Sequence, residues 1–313
     1  MTFNSILFPV DFSDSSISLK ADVERIAKRF NSTVTLMHVF EIPPAWYGMG
    51  DAYALNAEWL TEIMDEAKNR LDAFAIDLPT QRVRRVMLEG RPAAEIHQWC
   101  RSHAVDLVAM ATHGHGAFEG LVMGSVTAKV LHNVNVPLWL SPSNPVAPIH
   151  EGRMRIICGV DLGKEALPVI QYAKHLAEGF DALVTLVHSV PEAETRPNKY
   201  LDVDLHRLLK GIAQSELANC QKQAGTEFPV IITDSGISAA LASTAVDTKA
   251  DLVLIGRGHA QKFLGRFRTH TYELLSQVSC PVFSYCHEQA VEVVYAADAA
   301  KVDNFHGVLI GGH

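Results

Sequence analysis

The chain says the same thing twice. The segment SILFPVDFSDSS from Ser5 returns as RIICGVDLGKEA from Arg155, and TVTLMHVF from Thr33 returns as LVTLVHSV from Leu183. VDLVAMATHGHG from Val105 returns as ADLVLIGRGHAQ from Ala250, and NVPLWLS from Asn135 returns as SCPVFSY from Ser279. Asp11 to Asp161 and His38 to His188 are each 150 residues apart, Asp106 to Asp251 is 145, and Pro137 to Pro281 is 144. Such a steady offset marks one fold unit duplicated in tandem. The chain has 313 residues, so each copy is large enough to bury a core of its own. The Pro- and Ser-rich SPSNPVAPIHEG from Ser141 reads as the joint. The expected division is a domain over 1–143, a linker over 144–153, a second domain over 154–287 and a tail over 288–313.

Within the first copy, strand and helix patterns alternate. SILFPV is a short apolar run, as expected of a strand covered on both faces. DFSDSS offers several N-caps for a helix over 15–30, with Leu19, Val23, Ile26, Ala27 and Phe30 on one side. TVTLMHVF reads as a second strand. A Pro- and Gly-containing insertion follows, then a helix over 58–76. RVRRVMLE is a third strand, RPAAEIHQWCRSH a third helix with Pro92 in its first turn, and VDLVAMAT a fourth strand. A helix over 125–133 and the strand PLWLS complete the copy. Strands spaced by helices predict an α/β fold with a doubly wound parallel sheet. Ligands of such sheets sit beyond the carboxyl ends of the strands, where strand order reverses. VDFSD and THGHG then share one rim.

Composition narrows the partners. The formal net charge of −8 argues against a general nucleic-acid or anionic-membrane binder, which needs basic surface. It leaves open a small anion held by backbone N–H groups. The N-terminus lacks the basic and apolar regions of a signal peptide, and no stretch is apolar enough to span a bilayer. The five cysteines (Cys100, Cys158, Cys220, Cys280, Cys286) are odd in number and show no CxxC spacing. A reduced, cytoplasmic protein is the expectation.

One loop carries the chemistry. Gly114 follows the fourth strand, and nine residues later Gly124 and Ser125 open a helix. A helix N-terminus offers unpaired N–H groups and partial positive charge, and glycine lets a ligand approach the backbone. Together they make a phosphate cradle that needs no lysine. The plainer reading is a turn followed by a helix cap. His113, His115 and His132 lack the carboxylate or cysteine company of a metal site, so no metal ligand is assigned. Trp46, Tyr47, Tyr53 and Trp59 read as cover for the core or as a lid. Leu205, Leu208, Leu209 and Leu217 read as the core face of a helix over 201–223. No P-loop and no nucleophile elbow is present.

These motifs resemble the universal stress proteins, whose ATP-binding members carry G-x2-G-x9-G-[ST] after the fourth strand. The resemblance rests on ILFPVDFSDSS, LMHVF, EGRPAAEI, DLVAMATHGHG and MGSVTAKVLHNVNVPLWL and extends over both halves. It implies an adenine nucleotide alpha hydrolase-like fold, with five parallel strands in the order 3-2-1-4-5 in each domain. It places Pro9, Val10, Asp11 and Val39 against adenosine. Ala111, Gly114, His115, Gly124, Ser125, Val126 and Thr127 would line the phosphates, with Mg²⁺ held through them. Ala111 replaces the first glycine of the motif. His115 stands where the family often has Arg or Lys, and a neutral imidazole supplies less charge. The second copy departs further: Gly256 is kept, but His259 and Arg268-Thr269 replace the later glycines and serine. Its site is expected to be closed to ATP. The resemblance further implies pairing of the two domains through their fifth strands, a homodimer, and a regulatory role with an unidentified protein partner. No catalytic residue is assigned, and at most slow ATP hydrolysis is expected. The alternatives are an interaction module that binds no nucleotide and a slow nucleotide hydrolase.

Overall fold

The computed structural model describes residues 2–42, 57–112, 123–142, 152–190, 199–257 and 266–286. The first half runs β1 (Ser5–Pro9), α1 (Asp14–Phe30), β2 (Thr33–Phe40), α2 (Ala57–Ala73), a 3-10 turn (Thr80–Arg82), β3 (Val83–Glu89), α3 (Pro92–Ser102), β4 (Leu107–Ala111), α4 (Ser125–Asn133) and β5 (Leu138–Ser141). The second half repeats it as β6 (Met154–Gly159), α5 (Ala166–Phe180), β7 (Ala182–Ser189), α6 (Lys199–Ala224), β8 (Val230–Thr233), α7 (Ile237–Thr248), β9 (Leu252–Arg257), α8 (Arg266–Gln277) and β10 (Val282–Cys286). Most of the linker, and the whole tail over 288–313, lie outside the described residues. No described helix is long and apolar enough to cross a membrane. All five cysteines are free, and burial pushes the Cys100 and Cys280 thiols up to about 12, which leaves them poor nucleophiles.

Each half has the expected order 3-2-1-4-5 with parallel pairing. The two sheets are nevertheless one: the strands run β3-β2-β1-β4-β5-β10-β9-β6-β7-β8 without a break. The join is antiparallel, with Leu140 opposite Val282, Trp139 opposite Phe283 and Leu138 opposite Ser284. The continuity has a simple cause. A fifth strand alone would be an open edge, and pairing it with its counterpart satisfies both rows of backbone groups.

The core follows from this join. Helices cover both faces, so residues of either parity are buried: Ile6 and Phe8 face one apolar layer and Leu7 the other. Each layer runs through both halves. Fully buried Trp139 and Phe283 meet edge to face at 6.3 Å, and Phe30 meets Phe180 at 5.0 Å. A buried side chain of this size contributes about 1.5–3 kcal/mol. The Trp139 indole N–H is still satisfied, donating to Asp22 at 3.0 Å. One expectation fails: Leu217 is buried in α6, but Leu208 is 59% exposed, so these two leucines do not share a core face; the side chain of Leu205 lies outside the described residues. Trp59 is half exposed, and the rest of the expected aromatic cluster lies outside the described residues.

Arg257, at the end of β9, crosses the join. Its Nη1 donates to the carbonyls of Leu131 at 2.7 Å and Val134 at 2.9 Å, and its Nη2 to that of Val136 at 2.8 Å. These carbonyls lie at and beyond the C-terminal end of α4, where intrahelical donors run out. Burial pushes the guanidinium pKa down to about 10, which still leaves it charged at neutral pH. The negative end of the α4 dipole favours that charge. Arg257→Ala is expected to lower the unfolding free energy by about 3 kcal/mol. Arg29→Ala, which removes an exposed bond to the Gly179 carbonyl across the same join, is expected to cost less than about 1 kcal/mol. Urea unfolding measures both, and equal losses would contradict the assignment.

Candidate functional site

The rim at the carboxyl ends of β1 and β4 is the place where strand order reverses, since β1 lies between β2 and β4. Pro9 ends β1, and the ends of β1 and β2 are bonded together. The Val10 N–H donates to the Met37 carbonyl at 2.8 Å, and the His38 ring donates Nδ1–H to the Val10 carbonyl at 2.8 Å. The acceptor is a carbonyl, so this bond fixes the proton on Nδ1 in neutral His38. His188 makes the same 2.8 Å bond to Val160 in the second half. The two histidines, 150 residues apart, therefore hold the same structural position in the two halves. Val39, also assigned to the nucleotide, is half-buried near the end of β2.

The turn after β1 is tightly bonded. Asp11 Oδ1 accepts from the Ser13 N–H at 3.0 Å, the Ser13 hydroxyl at 2.6 Å and the Ser16 hydroxyl at 2.5 Å. The Ser13 hydroxyl in turn accepts from the Ser16 N–H and caps α1. Between them Phe12 has φ +61°, a left-handed conformation that costs an L-residue about 1–2 kcal/mol. It places the Phe12 ring 4.6 Å from His38 and 4.5 Å below the Arg70 guanidinium. In the second half Gly163 and Ala166 replace Ser13 and Ser16, and no side chain caps α5.

The other side of the rim is the start of α4. The Gly124 N–H donates to the Thr112 carbonyl at 2.7 Å, so the two ends of the intervening loop meet. The Thr112 N–H donates to Ser141 at 2.9 Å, which ties the loop to β5. Thr127 is buried, and its hydroxyl donates to the Ala111 carbonyl at 2.9 Å. The Thr127 N–H finds no acceptor among the described residues. Gly124 is the N-cap residue, no side chain caps the helix, and Ser125 is exposed. Among the described residues no side chain accepts from the first N–H groups of α4, which end at the rim. Gly124 has φ −64°, open to any residue, so backbone conformation does not require a glycine here.

Gly114, His115 and His113 lie outside the described residues, as do His259 and the side chain of Arg268. The described part of the second site differs in a way the sequence reading missed. Gly256 takes the place of Ala111 but packs against α5: a Cβ there would come within 2.5 Å of Val169. Arg257 takes the place of Thr112 and leaves the rim for the join. An arginine at the end of an otherwise apolar strand was the available signal. Phe12 and Arg70 were also missed, because a left-handed phenylalanine leaves no mark in the sequence.

The universal stress protein family matches residues 2–142 and 152–284. The chain belongs to that family. A universal stress protein of Methanocaldococcus jannaschii is 30% identical over 138 residues, 44% of this chain and 80% of its own. One from Thermus aquaticus is 30% identical over 139 residues, 44% of this chain and 98% of its own. A universal stress protein structure from Archaeoglobus fulgidus covers 91% of this chain and 97% of its own, with a TM-score of 0.60 at 19% identity. That likeness shows the fold, including the tandem arrangement. It agrees with the α/β class expected from the sequence.

His38 offers a test of the rim. Burial, the main cause, holds its pKa below the ordinary value of about 6.5, against the Val10 carbonyl and Asp11, which favour the cation. Between the folded and unfolded values the unfolded chain binds a proton that the fold refuses. The stability from this group is thus full above about pH 6.5 and is lost as pH falls to the folded value. An NMR titration is expected to put the His38 midpoint below about 6.5. A higher midpoint would contradict this environment.

Proposed function

We propose that this universal stress protein binds one ATP per chain, in its first half, and acts as a regulator in the stress response rather than as an efficient enzyme. The observation that carries this reading is the uncapped start of α4, held at the rim by the Gly124–Thr112 and Thr127–Ala111 bonds. The N–H groups of Ser125, Val126 and Thr127 would face the phosphates, completed by Gly114 and His115, with Ala111 below them. Pro9, Val10, Asp11 and Val39 would take the adenosine. Mg²⁺ would be held through the phosphates. ATP would supply a negative charge that favours one arrangement of the rim, read by a partner protein. A cytoplasmic location and a homodimer belong to the same proposal.

The Asp11 network supports a second reading. A carboxylate oxygen already shared by three donors suits a rim that serves only its own fold, as in an interaction module without nucleotide. Calorimetric titration with ATP separates the two. One site per chain is expected, and Gly124→Arg is expected to weaken binding by more than about tenfold. Because the backbone at Gly124 suits any residue, the variant is expected to fold. Two sites per chain would contradict the closed second half, and no binding would leave the interaction module.

A further inference from the structure

A second cleft opens at the opposite end of the same sheet, where β1, β2 and β3 begin. It holds about 530 Å³, within the range of small-molecule sites. Ser5 and Thr33 sit side by side in register at its floor, with Thr35 opposite Arg84. Arg82 lines it from the 3-10 turn, and Trp99 and His103 from the end of α3. No aspartate or glutamate lines it, on a chain whose net charge is −8.

The two arginines differ in how far they are engaged. Arg84 is exposed and makes no hydrogen bond or ion pair among the described residues; its guanidinium lies 5.2 Å from the centre of the Trp99 ring. Trp99 in turn stacks on His103 at 3.7 Å and 8°. Among the described residues Arg82 is engaged through Nη1 alone, with the Ala27 carbonyl and Asn31.

The duplication supplies an internal control. Arg155 stands where Ser5 stands in the first half, and its Nη1 donates to the Thr248 carbonyl at 2.7 Å. Thr248 is the counterpart of His103, so this arginine fills in the second half the space that the first leaves open. Leu183 replaces Thr33. The same backbone thus carries a plugged, partly apolar version and an open, polar, basic one.

We propose that the open cleft of the first half binds a small organic anion, a phosphate or a carboxylate. Arg84 and Arg82 would supply charge, and the Ser5 and Thr35 hydroxyls would donate to its oxygens, with Trp99 against its body. This site is separate from the nucleotide rim and does not depend on it.

Calorimetry on the full chain, with inorganic phosphate, glucose 6-phosphate and succinate as probes, tests the proposal. Each probe is titrated into the unaltered protein, Gly124→Arg, Ser5→Arg and Arg84→Gln. At least one probe is expected to bind the first two equally and to lose at least about tenfold in affinity in the last two. Preference for the phosphates or for succinate assigns the anion. Arg155 shows that the fold accepts arginine at the Ser5 position, and exposed Arg84 gives an independent variant. The proposal is overturned if no probe binds, if binding survives Ser5→Arg or Arg84→Gln, or if Gly124→Arg abolishes it.

Discussion

Each half of this protein ends in a strand that would be an open edge alone, and the antiparallel pairing of β5 with β10 removes both edges at once. Much else depends on that pairing. It lets two apolar layers run through the whole molecule and brings Trp139 onto Phe283. It also carries Arg257 from the second half to the trailing end of α4. The leading end of that same helix forms the rim proposed to hold phosphate. One helix therefore has its negative end held by the second half, and the proposed phosphate would match its positive end.

The two copies share a backbone and differ in what they leave open. Ser13 and Ser16 build a capped turn around Asp11, whereas Gly163 and Ala166 cannot. Thr112 stays at the rim, bonded through its backbone to Gly124 and Ser141, whereas Arg257 in its place is drawn into the join. Ser5 leaves a cleft at the far end of the sheet, whereas Arg155 fills it. In each pair of basic replacements the second half commits an arginine to carbonyls at a helix end. That pattern is what a duplicated fold permits: one copy can commit to stability residues that the other copy does not.

Much of this fold is legible in the sequence, because the repeat and the buried strands leave strong periodic signals. The helix over 125–133 falls where Gly124-Ser125 predicts, and the strand PLWLS is one residue shorter than drawn. The continuous sheet followed only from resemblance, since pairing between distant edges leaves no local signal. The site was partly legible. Gly124 and Ser125 announce a helix start, and the 150-residue spacing of His38 and His188 marks them as counterparts. The role of Arg257 was hidden, because its partners are backbone carbonyls 121–126 residues away. Leu208 misled because helical spacing does not say which face of a helix meets the core.

The central claim is that the first N–H groups of α4 are the part of this chain that meets phosphate. Amide hydrogen exchange, with and without ATP and Mg²⁺, measures those groups directly. The account predicts that Ser125, Val126 and Thr127 become slower to exchange with nucleotide, while the first turn of α8 is unchanged. Equal slowing in both helices, or none in α4, would contradict it.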